Sequence, residues 1–208
     1  MAVALLLGFA PAAARAEEAE PAAKRGWAFA LYLDGYAQAE TTGTLVPTVF
    51  ADRGPLHLEA RYNYEDLYTA SFWAGYAFHF GGEDTYLKVT PMGGAVAGRT
   101  HGIAPGLEVE GRWSRLAYWL EAEYLFDFAD SSANNLYTWS ELDLYLVHWL
   151  WVGVSVQRLR YLGSPRSVEA GPAIGIGNPG SPGWSLTFYA YGLAREEPWW
   201  LGTLAIQF

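Results

Sequence analysis

Pro198-Trp199-Trp200-Leu201-Gly202-Thr203-Leu204-Ala205-Ile206-Gln207-Phe208 decides the fold of this chain. Apolar positions alternate with small or polar ones, so that Trp200, Leu204, Ile206 and Phe208 share one face with Gly202 between them. A period of two marks an extended strand. A domain surrounded by water seldom ends on a bare apolar strand, so the rest of the chain has to explain what covers this one.

The same alternation recurs upstream. In Leu56-His57-Leu58-Glu59-Ala60-Arg61-Tyr62-Asn63-Tyr64-Glu65, one face takes Leu56, Leu58, Ala60, Tyr62 and Tyr64, and the other takes His57, Glu59, Arg61, Asn63 and Glu65. Leu116, Tyr118, Leu120, Ala122, Tyr124, Phe126 and Phe128 likewise oppose Trp119, Glu121, Glu123 and Asp127, and Leu142, Leu144 and Leu146 oppose Glu141, Asp143 and Tyr145. A soluble sandwich would trap such charges between its sheets at a high desolvation cost. Strands of about ten residues with one apolar and one polar face, separated by turn residues, are instead the pattern of a transmembrane β-barrel, apolar toward lipid and polar toward the lumen.

Twelve such strands are expected, near 27–39, 46–52, 56–65, 68–80, 85–98, 106–113, 116–129, 136–147, 150–161, 167–177, 184–194 and 198–208. Ten is the rival count, because 46–52 and 167–177 are short or interrupted by Gly and Pro. An even number places both chain ends on the periplasmic side. Tight turns are expected there at 52–55, 81–84, 114–115, 148–149 and 178–183, and outer loops at 41–45, 99–105, 130–135 and 163–166. From residue 17 the chain allows about sixteen residues per strand and connection, which leaves no room for a plug. Trp27, Tyr68, Trp113, Trp149, Trp151, Trp184, Trp199 and Trp200 crowd the strand ends, where aromatic rings favour the lipid headgroup level.

Composition agrees. The 208 residues are 51% apolar and 16% aromatic, with only 17% charged, and after the amino-terminus no apolar run is long enough for a membrane helix. The chain has no Cys, which excludes disulfides and thiolate metal sites, and a net charge of −9 argues against nucleic acid as partner. Residues 1–16 carry an apolar run followed by Ala14-Arg15-Ala16, a small-x-small site expected of a signal peptide, though without its basic leading residues. A short buried helix is the alternative. Residues 17–25 are expected to be a periplasmic lead-in, leaving 26–208 for the barrel.

The closing strand resembles that of bacterial outer-membrane β-barrels, whose terminal Phe is read by the barrel-insertion machinery; the resemblance implies an assembly role for Phe208 and that machinery as a partner. The 56–65 segment, with Thr90-Pro91-Met92-Gly93-Gly94 and Gly102-Ile103-Ala104-Pro105-Gly106, resembles a family of small bacterial outer-membrane barrels. That resemblance implies fold and location but no activity.

On this register the lumen collects Asp34, Glu59, Glu65, Glu108, Glu110, Glu121, Glu123, Asp127, Glu141, Asp143 and Glu169 against chiefly Arg61, Lys88 and Arg112, among Tyr32, Tyr36, Trp73, Met92, Trp119, Trp139 and Tyr145. Carboxylates in excess concentrate cations and repel anions, so the expected function is a narrow, cation-preferring diffusion channel. The pathway residues are Glu59, Arg61, Glu65, Lys88, Glu108, Glu110, Arg112, Glu121, Glu123, Asp127, Glu141 and Asp143. A non-conducting structural or interaction barrel is the alternative, and a lipid-modifying barrel enzyme a third reading. Enzymatic signals are weak: Ser71 and His79 lie roughly 26 Å apart at strand rise, too far for a nucleophile and its base. His57, His79, His101 and His148 have no helical metal spacing, and no cofactor is expected. Arg158 and Arg160 alternate outward, toward lipopolysaccharide phosphates near the outer rim, unless a β-bulge returns them to the lumen.

Overall fold

The computed structural model describes residues 26–38, 43–82, 85–178, 182–195 and 197–208; the expected signal peptide and lead-in lie outside them. The strands follow one another as β1 (Ala28–Gln38), β2 (Thr44–Arg53), β3 (Leu56–Tyr62), β4 (Thr69–Tyr76), β5 (Phe78–Gly81), β6 (Thr85–Gly98), β7 (Gly102–Trp113), β8 (Leu116–Asp127), β9 (Asn135–Val147), β10 (Leu150–Tyr161), β11 (Ser167–Asn178), β12 (Gly183–Tyr191) and β13 (Trp199–Gln207). All pairings are antiparallel. The ring closes where β1 meets β13 and where β4 meets β6.

β5 pairs with β6 alone and lies outside that ring, yet it prolongs β4 in the same register. Gly75 faces Met92 and Phe78 faces Val89, and the gap between the two ladders falls at Pro91, which has no N–H to give. The closed barrel therefore has twelve strands, not ten. The two doubtful runs are both strands, β2 and β11. Pro172 shows why one looked broken: β11 pairs with β12 only from Ala173 onward.

At three places a departure from expectation changes which side chains face inward or which residues pair. The seventh strand begins at Gly102, and Gly102 and Ile103 already face Asp127 and Phe126. The Gly and Pro of 102–106 mark a ladder irregularity, not a loop. The third strand stops at Tyr62, because Asn63 adopts φ 61° and its Oδ1 accepts the Tyr68 N–H at 2.8 Å. That turn reverses the alternation and sends Tyr64 into the barrel, opposite to its expected outward face. Finally, the register shifts between Leu150 and Trp151, and Trp151 turns inward.

Turns of two residues, Gly54-Pro55, Ser114-Arg115 and His148-Trp149, close hairpins at the end where the chain termini lie. Gly54 and Ser114 take positive φ of 58° and 56°, as the twist of a tight hairpin demands. The connections 63–68, 128–134 and 162–166 lie at the opposite end, as do residues 192–195 and 197–198. Short periplasmic turns and longer outer connections orient such barrels.

The exterior is apolar. Leu45, Phe72, Ile103, Val154, Ile174 and Phe188 are each more than half exposed, a surface that only lipid can cover. The protein is a membrane-spanning β-barrel. Trp27, Tyr68, Trp113, Trp149, Trp184 and Trp200 project outward at the strand ends as a girdle. Trp199 does not join them, because strict alternation with Trp200 turns it inward onto Tyr191, with ring centroids 4.1 Å apart. Trp151 packs inside against Gly175, where a Cβ would stand 2.1 Å from the indole. Arg158 and Arg160 keep the alternation and point outward, exposed, so no bulge returns them to the lumen.

Candidate functional site

The inward faces of β3, β7 and β8 carry the most concentrated charge. Arg61, buried at 4% exposure, donates from Nε to Glu59 Oε2 at 2.6 Å and from Nη1 to Glu121 Oε1 at 2.6 Å, with Glu123 Oε2 at 3.1 Å. Its guanidinium lies 4.5 Å from the Tyr64 ring centroid and 4.7 Å from that of Trp73, so two aromatic faces and three carboxylates enclose it. Tyr64 completes the arrangement by donating its hydroxyl to Glu121 Oε2 at 2.8 Å. Trp73 lies flat because Gly94 supports it; a Cβ there would sit 2.4 Å from the ring.

Next along β3 is His57. Its Nδ1 lies 2.7 Å from Asp52 Oδ1, and its Nε2 lies 2.8 Å from Glu59 Oε1 and 3.5 Å from Glu108 Oε2. Glu108 is 2% exposed, and its other oxygen, Oε1, has no hydrogen-bond partner. The ladder places Glu108 directly opposite Glu121, so the two acids share one patch of wall.

Glu141 and Asp143 occupy a separate patch. Trp139 faces Glu121 and Trp119 faces Glu141 across the β8–β9 ladder, so indoles divide the acids that the sequence places on three consecutive strands. Glu141 accepts from the Tyr189 hydroxyl at 2.9 Å, Asp34 accepts from Thr203 at 2.5 Å, and Asp143 Oδ1 is buried without a partner. Nearer the termini, Glu110 accepts from Tyr86 at 2.5 Å and stands 3.7 Å from Lys88. Arg112 lies over the Tyr145 ring at 4.7 Å and donates to the Ser114 carbonyl.

Of the other acids, Glu65 accepts from Ser71 at 2.5 Å and Trp73 at 3.3 Å, and Glu169 pairs with Arg195 at 2.5 Å near the outer rim. Asp127 departs from its expected place in the pathway. At the end of β8 its Oδ1 accepts the Ala129 and Asp130 N–H groups at 2.8 Å, and so it pins the following loop. His57 and Tyr64 join this buried cluster although the expected pathway did not include them. The inward alternation of His57 with Glu59 was the available signal for the first.

A cavity of about 500 Å³ opens among Ala30, Tyr86, Arg112, Ala117, Tyr145 and Gln207 and extends inward past His57 and Glu108 to Arg61, Tyr64, Glu121, Trp139 and Tyr189. Its lining does not include Tyr36, Tyr137, Tyr191 or Trp199, which pack with Trp139, Ala173, Tyr189 and Leu201 in the outer half of the barrel. The cavity thus lies beneath an aromatic layer. The acids and Arg61 sit where the two meet.

No protein-family model and no curated protein matches the sequence. Among solved structures the barrel is similar to the KdgM porin in complex with disordered oligogalacturonate, with TM-score 0.57 and 10% identity over 86% of this chain and 99% of that one. A second KdgM porin structure superposes with TM-score 0.54 and 8% identity over the same shares. At such identity the likeness concerns the fold, a small porin-like barrel.

Proposed function

We propose that the protein is a narrow outer-membrane channel that prefers cations. The observation that carries this reading is charge. Among the described residues Asp34, Glu59, Glu108, Glu121, Glu123 and Glu141 are buried carboxylates, and Arg61 is the one buried Arg or Lys among them. Fixed negative charge in a low-dielectric lumen gathers cations and repels anions. KdgM, whose structure holds an oligogalacturonate, supports a porin-like role for a barrel of this size. A polyanion of that kind is poorly suited to this lumen, whose acids lack cationic partners in comparable number. The aromatic layer around Tyr36, Tyr137, Tyr191 and Trp199 makes the passage narrow and requires side-chain movement for conduction.

That same layer favours the second reading, a non-conducting barrel that serves as an envelope scaffold. The two are separated by planar-bilayer recordings of monodisperse, heat-modifiable protein. Small currents with cation selectivity support the channel, and absence of current from folded protein supports the scaffold. We further infer that the outward guanidinium groups of Arg158 and Arg160 meet lipopolysaccharide phosphates, since Arg engages phosphate bidentately. Phe208 is the element we assign to recognition by the insertion machinery.

A further inference from the structure

We propose that His57, Glu59 and Glu108 bind one divalent metal ion of the zinc class in the wall of the lumen. One donor atom from each residue lies within 4.8 Å of the others. His57 Nε2 stands 2.8 Å from Glu59 Oε1 and 3.5 Å from Glu108 Oε2. Neighbouring ligands on a tetrahedral ion with bonds near 2.0–2.1 Å stand roughly 3.3 Å apart, so the two edges that meet at His57 are within tenths of an ångström of that spacing, and the third, between Glu59 and Glu108, lies within 4.8 Å.

Each ligand is already oriented from behind. Asp52 Oδ1, 2.7 Å from Nδ1, holds the His57 ring so that Nε2 faces the two glutamates, the carboxylate–histidine support that metal-bound imidazoles regularly have. Arg61 holds Glu59 through Oε2 at 2.6 Å and leaves Oε1 toward the triangle. Glu108, 2% exposed, has an Oε1 with no partner at all, and an unpaired buried carboxylate oxygen is costly. A metal ion held by Glu108, through Oε2 beside His57 or through the unpaired Oε1, offsets the burial of that carboxylate. The ion takes the place of a proton between Nε2 and the carboxylates, and any proton so displaced leaves through the cavity. That path exists, since His57 and Glu108 both line the cavity.

The donor set sets the class of ion. One imidazole and two carboxylates suit zinc and its first-row neighbours, whereas calcium takes six to eight oxygens and magnesium retains a shell of water. The cavity supplies water for a fourth position. The site does not depend on conduction and stands apart from the channel reading.

The test uses full-length mature barrel, metal-stripped, folded in detergent and verified by heat-modifiable migration. Zn²⁺ binding is measured by calorimetry against a competing chelator, and Co²⁺ binding by its visible absorption. One ion per barrel is expected, with the intense bands of tetrahedral Co²⁺. His57→Ala and Glu108→Gln should each weaken binding at least 100-fold, Asp52→Asn should weaken it about 10–100-fold, and His79→Ala should leave it unchanged. If His57→Ala fails to fold, His57→Gln replaces it. No binding by folded wild type, or unaltered affinity in folded Glu108→Gln, overturns the proposal. Metal binding without conductance would remove the channel reading and keep this one, and conductance without metal binding would do the reverse.

Discussion

Arg61 Nη1 and Glu121 Oε1 lie 2.6 Å apart and tie β3 to β8 across the interior of the barrel. The two strands are not neighbours in the ring, since β4, β6 and β7 lie between them, so this contact joins separate parts of the wall. Replacing Arg61 with Met leaves Glu59, Glu121 and Glu123 buried without their common cation, and the expected cost is about 3–5 kcal/mol. Glu121→Gln should cost far less, because the amide oxygen still accepts from Arg61, the amide N–H donates to the Tyr64 hydroxyl oxygen with the phenol reversing its role, and Glu59 and Glu123 balance the guanidinium. Urea unfolding in detergent or lipid checks the order of the two.

Leu120 tests the faces of the same strand. It alternates with Glu121 and faces Val109 and Ser140 across the ladders on the outer side. Arg at this position meets hydrocarbon and should destabilise by roughly 2–4 kcal/mol near the bilayer midplane. Equal or smaller loss than from Glu121→Gln in the same unfolding assay would place the register one residue off.

Phe208 and Phe29 exchange two backbone hydrogen bonds of 2.9 Å at the seam between the first and last strands, and their rings stack at 5.9 Å. Deleting Phe208 removes the outermost rung of the closing ladder and the side chain assigned to recognition. The folded fraction in cell envelopes should fall severalfold, whereas refolding of the purified variant into detergent should change little. An equal defect in both settings would make Phe208 a stability element alone.

The loop between β3 and β4 should be sensitive to acid. Hydrogen bonds from the Arg99 guanidinium hold the Asp66 carboxyl below the usual carboxylate range, helped by the Leu67 N–H and the Thr100 hydroxyl. A depressed folded pKa means that the stabilisation is present above the ordinary carboxylate pKa and is lost as pH falls through the folded one. Proteolysis within 63–68 should therefore accelerate only in strongly acidic buffer, and Asp66→Asn should be equally susceptible at neutral pH. Unchanged cleavage of the variant at neutral pH would show that the pair does not order the loop.

Much of this was legible because lipid and water impose opposite demands on alternate residues. The faces of Leu116–Asp127 and of the last strand follow from period two alone, as does the inward position of Glu59, Arg61 and Glu121. Departures occur where a local event breaks the period. The left-handed Asn63 turned Tyr64 inward to become the partner of Arg61 and Glu121, and the register shift at Leu150 turned Trp151 away from the girdle. Which acids meet depends on cross-barrel distances that no single strand reveals, so the junction of His57 with Glu108, fifty-one positions away in sequence, could not be read in advance.

The selectivity of the open barrel tests the central claim most directly. In a planar bilayer under a potassium chloride gradient, wild-type protein should give small unitary currents whose reversal potential lies on the K⁺ side of zero. The triple variant Glu121→Gln, Glu123→Gln and Glu141→Gln should move that potential toward zero. A wild-type reversal potential at zero or on the Cl⁻ side, or folded protein that passes no current, would contradict the account.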